Sequence, residues 1–232
     1  MEDLKKLVAE LVGEQDEGLQ IGMLQRMNDA LLTKFVLRMG DDCVVYPLHV
    51  EAYYYHPGRF EDRNVHGCKS ERGFRMQSNR FGKLYFHTVG RGGVDVCLSD
   101  GDYCLSFLIK ASKWLVDGVS VFAKQVDLFK ALRDVRGTPR EEEVVLEPVG
   151  REIRESDYVF HTVRKGLTED SFRKAALASL TELEKPHRFS FEKGYGKKYI
   201  IGDFIASHLH TASEGEIEDF MLRISGYRSK TV

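Results

Sequence analysis

Three groups of residues in this chain have the types and spacing to do chemistry. Glu51 follows the largely apolar run 43–50 and precedes Tyr53, Tyr54 and Tyr55. A carboxylate placed between an apolar strand and flat aromatic faces is partly desolvated, and such a group can hold a water and take its proton. The plainer alternative is a solvent-facing glutamate at a strand end. A second carboxylate, Asp95, lies inside the short apolar run Gly93 to Leu98, where an acid is costly unless it is hydrogen-bonded or functional. Strand alternation puts Asp95 and Cys97 on one face and Val94 and Val96 on the other.

His66 lies in the basic loop and His87 at the end of the next strand, and a lone histidine is more often a hydrogen-bonded structural one than a catalytic one. His49, His56, His66 and His87 show no ligand spacing, so no metal is expected. The third group is basic. Arg59, Arg63, Lys69, Arg72, Arg75, Arg80, Lys83 and Arg91 make eight cations against three acids between positions 59 and 91, interleaved with Phe60, Phe74 and Phe81. Cations neutralise phosphates and aromatic faces stack on exposed bases, a mix suited to a strand or a distorted duplex. The stretch from Lys185 to Tyr199 repeats the pattern, with five bases, one acid and four aromatic rings. Two solvated surface loops would read the same way.

The elements that must position these residues follow from periodicity. Leu4, Leu7, Val8 and Leu11, then Leu19, Ile21, Leu24, Met27 and Leu31, fall at helical intervals, with Gly13 as the break between two packing helices. Residues 35–50 read as a hairpin around the turn 39–42, its second strand ending at Glu51. Residues 56–80 are polar and aperiodic, which predicts a functional loop. Strands are expected over 84–89, 94–98 and 103–111, joined by the glycine cluster 90–93 and the turn 99–102. Beyond Val119 the pattern is mixed. Helices are expected at about 169–184 and 214–224, the latter carrying the capping-box spacing of Ser213 and Glu216 with Gly226 beyond its end.

A chain of 232 residues that is 42% hydrophobic can bury a full core, and a single domain over 1–232 is expected: a helical segment (1–32), a β core (33–119) and a mixed α/β part (120–232). Four cysteines without paired spacing, a start with no signal-peptide character and no membrane-length apolar run predict reduced thiols and a cytoplasmic protein without a membrane partner. The net charge of −2 argues against a uniformly basic nucleic-acid binder and leaves the local basic stretches to do that work.

The order of these motifs resembles the alkyladenine (3-methyladenine) DNA glycosylase family. Its members carry a strand ending in Glu-Ala-Tyr, a loop histidine, a Gly-x-Leu-Tyr strand, a glycine-containing hairpin and a strand ending Leu-Arg-Ala. The counterparts are Glu51-Ala52-Tyr53, His66, Gly82-Lys83-Leu84-Tyr85, the turn 90–93 and Leu108-Ile109-Lys110-Ala111, and residues 32–38 are similar to the family's early strand. The resemblance covers about residues 30–112.

It implies an α+β fold with a curved antiparallel sheet, like the C-terminal domain of formyltransferases, covered by helices. It also implies a DNA partner and cofactor-free hydrolysis of the N-glycosidic bond of a flipped-out, alkylated purine. Glu51 would activate the water, Tyr53 and His66 would sandwich the base, His87 would take the third aromatic pocket position, and Lys110 would match the arginine near the water. Asp95 is the further acid of the catalytic group and Cys97 the further pocket residue. The family's wedge tyrosine aligns with Gly90 and its asparagine with Cys97, so a catalytically altered relative that binds nucleic acid is the alternative.

Overall fold

The computed structural model describes residues 2–41, 43–68, 70–78, 80–87, 92–117, 119–133, 144–149, 159–164, 167, 172, 175 and 177–181. Two helices open the chain, α1 (Glu2–Gly13) and α2 (Glu17–Lys34). The Asp16 side chain accepts from the Leu19 backbone N–H at 2.9 Å and so caps α2, satisfying one of its orphan donors. Leu4, Val8, Leu11, Leu24, Met27 and Leu31 are buried as the periodicity requires, whereas Leu19 is exposed.

The strands follow: β1 (Phe35–Met39), β2 (Cys43–His56), β3 (Phe60–Glu61), helix α3 (Glu71–Ser78), β4 (Leu84–His87), β5 (Gly93–Cys97), β6 (Cys104–Val116), β7 (Val119–Lys124), helix α4 (Gln125–Ala131), β8 (Val144–Pro148), β9 (Val159–Thr162) and β10 (Ala178–Thr181). They form one curled antiparallel half-barrel sheet covered by helices, an α+β architecture. The main path runs β4-β5-β6-β2-β1-β8, with β3 and β10 also on β2, β7 on β6 and β9 on β10.

β2 is the axis. One edge pairs with β6 from Cys43 to Tyr55, and the other edge is taken in turn by β1, β10 and β3. Glu51 therefore sits in the middle of a long strand, not at the end of one. The strand continues through the tyrosines, paired with β6 at all three and with β3 at Tyr55, which the apolar run alone does not reveal.

Alternation gives this sheet two unlike faces. Leu84, Val96, Phe107 and Ala52 are successive cross-strand partners and all belong to the core shared with α1, α2 and α4. Tyr54 also points into that core, so the three consecutive tyrosines do not act together.

Two expectations are corrected. Residues 56–80 are not simply a loop: they hold β3 and α3, and Phe60, Asp62 and Val65 are buried. Within 169–184, where a helix is expected, residues 178–181 form β10 between β2 and β9. Leu177, Ala178 and Ser179 are buried there, because open edge groups of two strands outweigh local helix propensity. The expected helix at 214–224 and the basic stretch 185–199 lie outside the described residues.

Gly92 enters β5 at φ +75°, and a Cβ there would come within 2.6 Å of the Phe129 ring on α4. Gly92→Ala combines a left-handed backbone with overpacking, and is expected to cost about 3 kcal/mol of stability. Urea unfolding followed by circular dichroism should show a lower midpoint at unchanged slope.

Candidate functional site

The face of the sheet away from the main core carries the candidate residues. Tyr85 of β4, Asp95 of β5, Leu108 of β6, Glu51 of β2 and Ala178 of β10 are consecutive cross-strand partners, so their side chains leave the sheet on one side. The next row on that side is Cys97, Ser106 and Tyr53. Pairing between β2 and β6 slips at His49, leaving Leu48 and Lys110 out of register. Such bulges re-aim side chains, and Lys110 Nζ stands 3.6 Å from Glu51 Oε1.

Glu51 is 1% exposed. The Tyr53 hydroxyl donates to its Oε2 at 2.8 Å. Burial and the Glu51 charge hold the Tyr53 phenol well above its ordinary range, so it remains a donor. A carboxylate has about four lone-pair sites, and Tyr53 uses one of them. Lys110, beyond hydrogen-bond range, supplies charge to the other oxygen without occupying it.

Behind Tyr53 lies Arg164, a residue that spacing gives no reason to single out. Its guanidinium stacks 4.6 Å from the Tyr53 ring centre and pairs with Asp62 at 2.5 Å, both side chains being fully buried. It also donates to the Ala52 carbonyl at 3.0 Å and the Phe172 carbonyl at 3.5 Å. Asp62 in turn accepts from the backbone and side chain of Asn64. Removing one partner of such a pair typically costs about 3–5 kcal/mol, since the other charge is left buried alone. The pair ties the segment after β9 to the segment after β3 directly behind Tyr53.

Asp95 is 2% exposed and fully engaged. Its Oδ1 lies 2.8 Å from His87 Nε2, and its Oδ2 accepts from the Ser106 hydroxyl at 2.8 Å. The His87 ring stands 4.8 Å from that of His66, whose Nδ1 shares a 2.6 Å hydrogen bond with the Tyr85 hydroxyl. Tyr85, His66 and His87 thus form a group of three rings beside the Asp95 carboxylate. Burial pulls the His87 imidazole down, but the charge and hydrogen bond of Asp95 outweigh it and His87 ends above its ordinary value. His66 ends below its own, through burial and the neighbouring His87 charge. Ser106 was legible only as a polar residue inside an apolar run.

The strand pairing brings Asp95, rather than Cys97, into the row of Glu51. Cys97 is fully buried in the neighbouring row, opposite Ser106. Gly93 occupies this face where a Cβ would come within 2.9 Å of Leu108 and 3.4 Å of His87, so a side chain there would crowd the site.

The basic residues divide. Arg59 is exposed, and its guanidinium donates to the Val12 carbonyl at the end of α1 at 2.8 Å. Arg63 is exposed beside Glu61 at 3.8 Å, and Arg72 is exposed on α3. Arg80 donates to the Leu84 carbonyl and lies 5.6 Å from the Tyr85 ring centre. The side chain of Arg75, together with Gly90 and Arg91, lies outside the described residues. Phe60 is not available to stack on a base: it is buried and stacks on Phe172 at 4.2 Å. Phe81 likewise packs against the core. The reason is geometric, since β3 turns Phe60 under the sheet edge.

Among the described residues, no group of three or more His, Cys, Asp or Glu side chains could hold a metal ion, and no helix is long and apolar enough to cross a membrane. No protein-family model matches the chain, and no curated protein is significantly similar to it.

The histidine environments predict distinct titrations. In a nuclear magnetic resonance titration His87 should deprotonate above the ordinary histidine value and His66 below its own, with Asp95→Asn dropping His87 steeply. Because the folded-state value of His87 is raised, the His87–Asp95 pair contributes stability fully below the ordinary value and loses it as pH rises through the raised one. The pH-dependent part of the stability difference between wild type and Asp95→Asn should therefore vanish on the alkaline side.

Proposed function

We propose that this protein is a DNA N-glycosylase that hydrolyses the bond between a damaged purine and its deoxyribose. One observation carries the reading: a carboxylate, Glu51, is 1% exposed in mid-strand, with a phenol donating to one oxygen and an ammonium 3.6 Å from the other. Such a group is suited to orient a water and accept its proton. In the reaction the water oxygen bonds to C1′, the C1′–N bond breaks with its electron pair going to the base, and Glu51 takes the water proton.

Two further features support the reading. Tyr53 beside that carboxylate, and the ring group of His66, Tyr85 and His87 further along the same face of the sheet, supply flat faces of the kind that hold a nucleobase taken out of its stack. The curled antiparallel sheet with helices on it is compatible with the formyltransferase C-terminal-domain-like fold that the motif order implies. DNA, damaged or distorted, is the proposed partner, reached through the exposed Arg63 and Arg72. The proposed location is cytoplasmic, on the ground of thiols without disulfide spacing.

The test is an abasic-site assay on duplex and single-stranded DNA carrying alkylated or deaminated purines. Wild-type protein should release base, and Glu51→Gln should slow release by about 10²–10⁴-fold while leaving DNA binding intact. DNA binding without release, unaffected by Glu51→Gln, would instead mark a catalytically altered relative. Neither release nor binding at low salt would remove DNA as the substrate.

A further inference from the structure

A carboxylate accepts a proton usefully only if one of its oxygens is kept free and aimed, and on this sheet that depends on a phenol. Tyr53 lies two positions beyond Glu51 on the same face of β2, and its hydroxyl donates to Glu51 Oε2 at 2.8 Å. A tyrosine turns about two side-chain bonds, so a neighbour must hold the ring if that hydrogen bond is to persist. The ring is half-buried, and the group behind it is the Arg164 guanidinium, 4.6 Å from its centre.

Arg164 is itself fixed by three partners. It pairs with Asp62 at 2.5 Å, donates to the Ala52 carbonyl at 3.0 Å and reaches the Phe172 carbonyl at 3.5 Å. Ala52 stands between Glu51 and Tyr53, so the guanidinium is registered to the backbone that carries both. Asp62 uses its remaining groups to build a turn. Its Oδ1 accepts from the Asn64 backbone N–H at 3.0 Å and the Asn64 side-chain amide at 2.8 Å, and its carbonyl accepts from the Val65 N–H at 3.1 Å. The next residue is His66, bonded to the Tyr85 hydroxyl at 2.6 Å. One guanidinium therefore reaches Glu51 through a single ring and His66 through a single acid.

Stability alone is a poor reason for this arrangement. A buried ion pair commonly stabilises no more than apolar side chains of the same volume. Among the described residues Arg164 Nε has no hydrogen-bond partner, which adds to the cost. The cation does act on the ring. Its charge favours ionisation of the Tyr53 phenol, while burial and the Glu51 carboxylate oppose it and prevail. The hydroxyl proton is thereby polarised towards Glu51 without being given up. No part of the Arg164 side chain is exposed, so it acts through these neighbours and touches no substrate.

We propose that Arg164 is a positioning residue of the candidate site: through the Tyr53 ring it fixes which Glu51 oxygen is free, and through Asp62 it fixes the turn that presents His66. The geometric part stands by itself, and the effect on reaction rate rests on the glycosylase reading.

The experiment uses the full chain with carbon-13 in the tyrosine and histidine rings, followed by nuclear magnetic resonance. The Tyr53 and His66 signals are identified by their loss in Tyr53→Phe and His66→Gln. In the wild type the Tyr53 ring should be as rigid as ordered backbone, with an order parameter near about 0.85. A value below about 0.6 overturns the proposal even if no variant folds. Arg164→Lys keeps the charge and loses the planar fork. It should move the Tyr53 signal towards its position in Glu51→Gln, and should raise the His66 titration, which burial depresses in the wild type, towards the ordinary histidine value. Both signals unmoved in folded Arg164→Lys would show a merely structural arginine and overturn the proposal. Single-turnover base release from duplex DNA with one alkylated or deaminated purine should be about 10²-fold slower in Arg164→Lys. Where Tyr53→Phe is already present, Arg164→Lys should slow it little further, because the two act as one unit. Displaced signals with a wild-type rate, or losses that simply multiply, overturn the positioning role. No release by the wild type removes the glycosylase reading, and the ring and imidazole signals then decide this proposal without it.

Discussion

Everything on the functional face depends on the pairing of β2 with β6. Both strands are long, and their alternation sends Ala52, Tyr54, Phe107 and Ile109 into the main core while Glu51, Tyr53, Ser106 and Leu108 emerge on the other side. A slip of one residue in this register would exchange the two sets. It would put a carboxylate and a phenol among the helices and expose the apolar residues, so the register is held by the free energy of the whole core. The register shifts on either side of His49 fall where Lys110 comes within 3.6 Å of Glu51.

Burying acids on that face is costly, and the fold meets the cost with partners drawn from distant parts of the chain. Asp62 and Arg164 are 102 positions apart and Asp95 and Ser106 belong to adjacent strands, yet each acid finds hydrogen-bond donors at 2.8 Å or less. These networks are stiff because leaving any member unpaired is expensive. Stiffness is what the water-activating role proposed for Glu51 would require, since a general base must hold a fixed position relative to the water that attacks. The Arg164 guanidinium adds a second constraint by backing the Tyr53 ring, so that the hydroxyl stays within reach of Glu51.

Much of the fold was legible locally. The two opening helices were marked by apolar spacing and the break at Gly13, and the first hairpin by its turn, whose pairing of Met39 with Cys43 closes it. The strands around Asp95 were marked by glycine and aspartate turns. What misled was local pattern without knowledge of neighbours. Residues 178–181 carry helix-compatible side chains and became a strand because β2 and β9 each offered an open edge. Phe60 looked like a stacking face amid arginines and became core because β3 pairs with the end of β2.

The sequence by itself determined which residues had the chemistry to matter: Glu51 among tyrosines, an acid inside an apolar strand at Asp95, and histidines on either side of Tyr85. It also determined, by simple alternation, that Asp95 and Cys97 share a face. Only the tertiary structure decided that Glu51 lies in mid-strand under burial, that Asp95 rather than Cys97 joins its row, and that Arg164 backs Tyr53. The physical reason is that side-chain type and strand period are local properties, whereas burial, register and the pairing of charges depend on which strands meet. Those meetings are settled by the core as a whole.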